Sequence, residues 1–145
     1  PDFRPSNVAS AQVQGLELTA SGIAHGWRFA ASATFQSPTN RQTGETLLRR
    51  AKRFGALDVS RRFGAWDAGA DIAWGGSRHD FRIDTFAPVV LESRARLGLR
   101  LQRRILPDTS LVVRLDNVTD DDTPIAHGYL PTGRSLFVML RWQPS

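Results

Sequence analysis

The sequence contains no cysteine and only one lysine, Lys52, among its 145 residues. Without cysteine, the chain has no disulfide framework, no thiolate metal site and no cysteine nucleophile. It also lacks any run of 18 apolar residues, the minimum that suggests a membrane-spanning helix. These absences exclude a disulfide-stapled domain and a helical membrane span within this sequence.

Patterns that carry chemistry are also missing. The net charge of +5 could suit a nucleic-acid partner, but basic and acidic residues are interspersed along the chain and form no basic cluster. There is no Gly-x-Ser-x-Gly elbow and no glycine-rich phosphate loop. We therefore predict that the chain is not an enzyme, uses no cofactor and binds no nucleic acid.

Metal-binding patterns are weak. The three histidines, His25, His79 and His127, are far apart in sequence and have no acidic partner at metal-ligand spacing. The aspartates at 116 and 120–122 could suggest calcium, but the glycine and the closing glutamate of an EF-hand loop are missing. We predict no metal site.

The dominant signal is strict alternation of apolar and polar residues, which is typical of a β-strand with two different faces. In residues 66–74, for example, Trp66, Ile72 and Trp74 fall on one face, and Asp67 and Asp71 fall on the other. Seven segments alternate in this way. The predicted strands are residues 13–20, 27–36, 56–60, 66–74, 94–102, 111–116 and 136–142.

The connections between these strands alternate between short and long. The short ones are 21–26, 63–65 and 106–110, and the long ones are 37–48, 77–92 and 117–133. This order predicts an all-β fold, an antiparallel up-and-down meander of about seven strands. In a transmembrane β-barrel the short turns are periplasmic and the long loops are extracellular.

The residues on the two faces favour a membrane barrel over a soluble one. Trp27 with Phe35, and Trp66 with Trp74, are each eight positions apart, which is about 26 Å along a strand and close to the height of a lipid-facing band. A mixed-charge wall is predicted on the polar face from Arg28, Arg96, Arg100, Arg114, Arg141, Asp58, Asp67, Asp71 and Asp116. A soluble small-molecule-binding β-barrel, which would need an apolar lumen, and a passive outer-membrane pore remain alternatives.

Four short motifs occur in a specific order. They are Asn7-Val8 with Ala11, Gly15 and Glu17; Leu47-Leu48-Arg49-Arg50-Ala51; Asn117-Val118-Thr119-Asp120; and Gly133-Arg134 before the last strand. Together they resemble the C-terminal β-barrel segment of TonB-dependent outer-membrane receptors. The sequence of residues 47–52 and the His127-Gly128-Tyr129 stretch most resemble the cobalamin (vitamin B12) receptor branch.

The resemblance implies that residues 1–145 are a partial receptor barrel in the bacterial outer membrane, whose plug domain and earlier strands lie elsewhere in a longer protein. It implies active uptake of a bulky, scarce nutrient, cobalamin or a ferric siderophore, with energy delivered through TonB. The expected partners are the lipid bilayer, the nutrient, the plug domain and TonB. The expected ligand-binding residues, all in the extracellular loops, are Arg41, Arg78, His79, Phe81, Arg82, Phe86 and Tyr129.

Overall fold

The computed structural model describes residues 10–144, which form nine β-strands and two antiparallel sheets. The large sheet has seven strands in the order β1-β2-β3-β4-β7-β8-β9, and β5 pairs with β6 in a separate hairpin. The predicted all-β meander of seven strands is confirmed. The strands are β1 (Ala11–Ala24), β2 (Trp27–Asn40), β3 (Arg53–Phe63), β4 (Trp66–Gly75), β5 (Arg78–Phe81), β6 (Pro88–Leu91), β7 (Arg94–Leu106), β8 (Thr109–Asp116) and β9 (Ser135–Trp142).

Most strands run further than the alternation predicted. The first predicted turn, 21–26, contracts to His25 and Gly26, which both have positive φ (51° and 78°). This is the backbone of the two-residue turn that best fits the right-handed twist of a hairpin. The tight turn keeps β1 and β2 paired up to Ala24 and Trp27, so residues 21–24 belong to β1. At the far end the pairing continues to Ala11 and Asn40, so residues 37–40 belong to β2.

The long connection predicted at 77–92 does join β4 to β7, but it is not a loop throughout. It contains the β5–β6 hairpin, in which Arg78 pairs with Leu91 and Phe81 pairs with Pro88. Each of these strands has only four residues, which is too short for alternation to stand out from a loop. The motif residues Asn7 and Val8 lie outside the described part of the chain.

The register of the large sheet aligns the apolar residues of all seven strands on one face. Across the middle of the sheet, Leu57 lies opposite Ile72, Ile72 opposite Leu97, and the next row pairs Leu99 with Leu115. Because partners in an antiparallel ladder point to the same side, these rows form one continuous surface. We call this surface the apolar face and the opposite one the polar face.

The apolar face is exposed and covered by no other part of the described chain. Within residues 10–144, the buried apolar side chains are only those of Pro38, Leu91 and Val112. The accessible surface of 10597 Å² exceeds the roughly 7,400 Å² expected for a soluble monomer of this mass. Within the same range, no helix is long and apolar enough to cross a membrane.

Aromatic residues border the apolar face at both ends. At the end of the sheet that carries the short turns, the turn end, Trp27 meets Phe63 edge-on with ring centres 6.4 Å apart. At the same end, Arg61 lies over the Trp27 ring at 5.4 Å from its centre, and Arg103 lies over the Trp66 ring at 4.9 Å from its centre. The opposite end, the loop end, carries Phe35 and Trp74. Such aromatic belts are typical of the two interfaces of a membrane barrel.

Candidate functional site

The polar face forms a wall of paired charges. Arg28 donates hydrogen bonds to Ser60 and Asp67, while Arg100 lies 3.8 Å from Asp58. Further along the wall, Arg114 lies 3.5 Å from Asp71 and also bonds Asp116. All of these pairs join different strands except Arg114 with Asp116, which both lie on β8. Partly exposed ion pairs of this kind each contribute little to the free energy of unfolding. We therefore interpret the wall as a polar, hydrated surface and not as a stabilising core.

Asp80 in β5 joins the three long loops at the loop end. Its side chain is only 1% exposed, and its oxygens accept hydrogen bonds from the Arg49 Nε at 2.9 Å and the His127 backbone N–H at 2.7 Å. The Phe81 backbone N–H donates a third bond at 2.8 Å. Arg49 belongs to the β2–β3 loop and His127 to the β8–β9 loop. A buried carboxylate therefore holds these two loops against the hairpin.

The environment of Asp80 keeps it ionised. Burial alone would raise the pKa of this carboxyl, but the hydrogen bonds from His127, Arg49 and Phe81 and the charge of Arg49 outweigh burial and lower its pKa below 3.8. Donors that bond the charged form of a carboxylate lower its pKa in this way. The loop end of the sheet with its three long connections, which we call the mouth, is thus held together by a carboxylate that stays charged at neutral pH.

Further contacts strengthen the same junction. The Arg49 backbone N–H donates to the His79 carbonyl at 2.8 Å, and the Ile83 N–H donates to His127 Nδ1 at 3.3 Å. Gly128, with φ of 83°, lies directly against the Ile83 side chain, so that a Cβ at this position would overlap it. The hairpin and the β8–β9 loop therefore pack as one unit.

The Asn117-Val118-Thr119-Asp120 motif and the Gly133-Arg134 motif lie next to each other in the fold. Asn117 is 4% exposed, and its side-chain amide donates to the carbonyls of Asp121 and Thr132 while its oxygen accepts from the Asp121 N–H. Asp120 accepts a 2.8 Å hydrogen bond from the Arg134 backbone N–H. Asn117 and Asp120 both have positive φ, which asparagine and aspartate tolerate better than most residues. The two motifs close the base of the β8–β9 loop.

The acidic residues of this loop are engaged by backbone groups. Asp121 accepts hydrogen bonds from the N–H groups of Ala95 and Thr123. Burial would raise the pKa of Asp121, but these bonds and the charge of Arg94 lower it. Among residues 10–144, no group of three or more histidine or acidic side chains could hold a metal ion.

The structure brings five of the seven expected ligand-binding residues onto one hairpin. His79, Phe81, Arg82 and Phe86 are exposed there, whereas Arg78 is 9% exposed and directs its Nη2 to the Pro124 carbonyl at 3.2 Å.

Arg82 is bound in two places by Asp84 at the hairpin tip, at 3.1 and 3.0 Å. This pairing raises the pKa of Arg82, and the same hydrogen bonds lower the pKa of Asp84 to about 2. The two other expected residues lie on separate segments. Tyr129 is exposed on the β8–β9 loop, and Arg41 lies in the turn after β2, where its N–H donates to Ser10.

Sequence reasoning missed the residues that build the mouth. Asp80, Arg49 and His127 meet only after folding, because they lie 31 and 47 positions apart in sequence. Arg94 was also missed as a site residue, because it starts a strand and reads as an ordinary polar position. The Leu-Leu-Arg-Arg-Ala motif contains Arg49 but carries no sign of its partner, and Arg49 lies in the loop before β3, which begins at Arg53.

Solved structures with the same fold are outer-membrane receptors. The pyoverdine outer membrane receptor FpvA from Pseudomonas aeruginosa PAO1 matches 92% of this chain at 20% identity, with a TM-score of 0.80 over 21% of its own length. The ferric-catecholate import receptor Fiu from E. coli K12 matches 91% at 19% identity, with a TM-score of 0.78 over 21% of its length. The siderophore receptor PirA from Acinetobacter baumannii matches 91% at 17% identity, with a TM-score of 0.76 over 22% of its length.

These likenesses establish the fold. The chain has the fold of part of these outer-membrane receptors, an antiparallel all-β meander, and it spans about a fifth of the length of the receptors it matches. No protein-family model matches the sequence.

Proposed function

We propose that this chain is part of the wall and of the extracellular mouth of an active-transport receptor in the outer membrane of a Gram-negative bacterium. The apolar face lies against lipid, and the polar face lines the interior that a plug domain of the same protein fills. Energy for uptake comes from the inner membrane through TonB, which contacts a part of the receptor outside this sequence.

The exposed apolar face is the observation that supports this proposal most strongly. Seven strands place leucine, isoleucine, valine and alanine on one face with tryptophan and phenylalanine at both ends, and arginine–aspartate pairs on the other. A soluble ligand-binding barrel has the reverse arrangement, because its apolar residues face inwards. The charged polar face therefore counts against the soluble alternative.

The transported ligand is a bulky, scarce nutrient, a ferric siderophore or cobalamin. The hairpin at the mouth presents exposed aromatic and charged side chains, among them Phe81 and His79, on a support held by Asp80. Rings and charges together suit a large ligand with both polar and apolar surface. The solved receptors of the same fold favour the siderophore over cobalamin, although the sequence motifs resemble the cobalamin branch.

Uptake by cells that carry the complete receptor tests this function. Cells would be supplied with radiolabelled iron as siderophore complexes, or with radiolabelled cobalamin, with and without a functional tonB gene. We expect receptor-dependent accumulation of one of these ligands that is lost without TonB. Accumulation that persists without TonB would favour a passive pore, and no accumulation of any of them would contradict the proposed ligand class.

A further inference from the structure

Three arginines near the loop end, Arg78 in the β5–β6 hairpin and Arg94 and Arg96 on the polar face of β7, have buried N–H groups without a partner in the described part of the chain. Within residues 10–144, the atoms are Nε of Arg78, Nη1 of Arg94, and Nε and Nη2 of Arg96. Arg78 is more than nine-tenths buried, and its only hydrogen bond there uses Nη2. Buried polar groups are almost always hydrogen-bonded, and a buried charge without a partner is costly. This cluster thus calls for a ligand.

The three side chains lie together beside open space. Arg94 begins β7, Arg96 follows on the same face, and Arg94 lies within electrostatic range of both Arg96 and Arg78. Arg78 and Arg94 line a cavity of about 360 Å³ together with Gln36, Arg49 and Arg50. Arg96 lines a neighbouring cavity of about 320 Å³.

The residues opposite Arg94 and Arg96 on β4 are small and uncharged. On β4, the residue opposite Arg94 is Gly75 and the one opposite Arg96 is Ala73. Neither can provide a counter-charge or a hydrogen-bonding side chain. The other polar-face arginines differ from this cluster, because Arg100 and Arg114 have aspartates opposite them or nearby.

The nearby carboxylates already accept hydrogen bonds or pair with other arginines. Asp121 is within electrostatic range of Arg94, but its oxygens accept from the backbone N–H groups of Ala95 and Thr123. Asp80 is bound to Arg49, and Asp71, which lines the cavity next to Arg96, lies 3.5 Å from Arg114. Of these three carboxylates only Asp121 is not paired with another arginine, so one carboxylate accompanies three guanidinium groups.

We propose that Arg78, Arg94 and Arg96 form an oxyanion-binding site that takes a carboxylate-bearing group. Guanidinium groups bind carboxylates through two parallel hydrogen bonds, and this geometry fits the free Nε and Nη positions of Arg96. The site rests on the proposed function, to which it adds the chemistry that the mouth recognises. The carboxylate comes either from a free ligand or from a side chain of the same polypeptide outside this sequence.

Calorimetric titration of the complete receptor in detergent with citrate tests the site. The test variant is the double substitution Arg94→Gln/Arg96→Gln, and the single Arg94→Gln serves if the double variant fails to fold. Arg104→Gln is the matched control, because Arg104 lies on the same face of β7 at the turn end and is exposed. The melting temperature of each variant is measured in parallel without citrate.

A free-ligand source predicts that citrate binds the native receptor and the control, and that the double variant binds at least tenfold more weakly. An internal source predicts no citrate binding, but a lower melting temperature for the double variant than for the native receptor and the control. The inference is overturned if citrate binding is equal in all three proteins. It is also overturned if citrate does not bind and the melting temperature of the double variant is unchanged or raised.

The same experiments separate this inference from the proposed function. TonB-dependent nutrient uptake, combined with no citrate binding and no drop in the melting temperature of the double variant, would support the transport function and reject the site. Citrate binding that depends on Arg94 and Arg96, in a receptor that imports neither a siderophore nor cobalamin, would support the site and reject the transport function.

Discussion

The carboxylate of Asp80 accepts a 2.7 Å hydrogen bond from the backbone N–H of His127, although the two residues lie 47 positions apart in sequence. The same carboxylate binds the Arg49 Nε at 2.9 Å. One buried side chain therefore connects the β5–β6 hairpin to the loop before it and the loop after it. The exposed residues of the mouth depend on this junction for their relative positions.

Replacing Asp80 with asparagine should loosen all three loops while leaving the large sheet intact. The substitution removes the charge and turns one acceptor into a donor that faces other donors, which costs about 2 kcal/mol. We expect amide hydrogens in residues 45–51, 78–91 and 124–129 to exchange roughly 30-fold faster, as such a free-energy change implies. Hydrogen exchange followed by mass spectrometry measures this.

Asp84→Asn is the matched control for that substitution. Asp84 lies in the same hairpin but is exposed and pairs with Arg82 at the tip. Its replacement should change exchange only near the tip. Equal acceleration in both variants would show that Asp80 is not the junction between the loops.

The order of the mouth should depend on pH in one direction. Folding lowers the pKa of Asp80 below its ordinary value of 3.8, so its stabilising contribution is complete above that value and is lost as pH falls through the folded pKa. We expect exchange in residues 124–129, corrected for intrinsic rates, to be constant from pH 7 to 5 and to rise below about pH 4. Asp80→Asn should remove most of this rise, and an unchanged rise would assign it to other carboxylates.

Gly55 provides a test of the aromatic belt at the loop end. A Cβ at this position would overlap the Ser32 carbonyl oxygen and come within 2.8 Å of the Trp74 ring nitrogen. Gly55→Ala should displace Trp74 and destabilise the barrel by about 1–3 kcal/mol, in the range of other overpacked sites. Tryptophan fluorescence during urea unfolding in lipid vesicles measures both effects.

Gly75→Ala is the control for Gly55→Ala, because a Cβ at Gly75 would meet no atom within 4 Å. It should change the free energy of unfolding by less than about 0.5 kcal/mol, as substitutions without steric conflict usually do. Equal losses in the two variants would mean that glycine flexibility, and not the packing of Trp74, sets the cost.

A charge in the middle of the apolar face should be far more costly than one on the polar face. Leu99 lies between Ala70 and Leu115 in the central rows and is well exposed. Leu99→Arg should lower the free energy of unfolding in a bilayer by about 2–4 kcal/mol. Gln102→Arg, three positions along β7 on the polar face, should cost less than about 0.5 kcal/mol. Similar costs at the two positions would contradict a lipid contact at Leu99.

The sequence predicted the large sheet well and the mouth poorly, for physical reasons. The strand at residues 66–74 was predicted to within one residue of β4, because tryptophans bracket its alternating pattern. Alternation is a local property, so each strand can be found without knowledge of its neighbours. The four-residue strands β5 and β6 have too few residues for such a pattern and were missed.

The site depends on register and on contacts between distant loops, which alternation does not contain. The pairing of Arg114 with Asp71 follows from how β4, β7 and β8 align, and the junction at Asp80 follows from three loops meeting. Arg96 was predicted to belong to the charged wall, yet its Nε and Nη2 have no partner in the described part of the chain. That difference could only be seen once the neighbours of each strand were known.

Accessibility along β7 tests the central claim, that one face of this sheet contacts lipid and the other faces a polar interior. Because this sequence has no cysteine, single cysteines can be placed at residues 97–102 and spin-labelled in the complete receptor in lipid vesicles. We expect oxygen, which partitions into lipid, to collide most with labels at 97, 99 and 101, and a water-soluble nickel chelate to collide most with labels at 98, 100 and 102. Equal accessibility at all six positions, or lipid contact at the even-numbered ones, would contradict this claim.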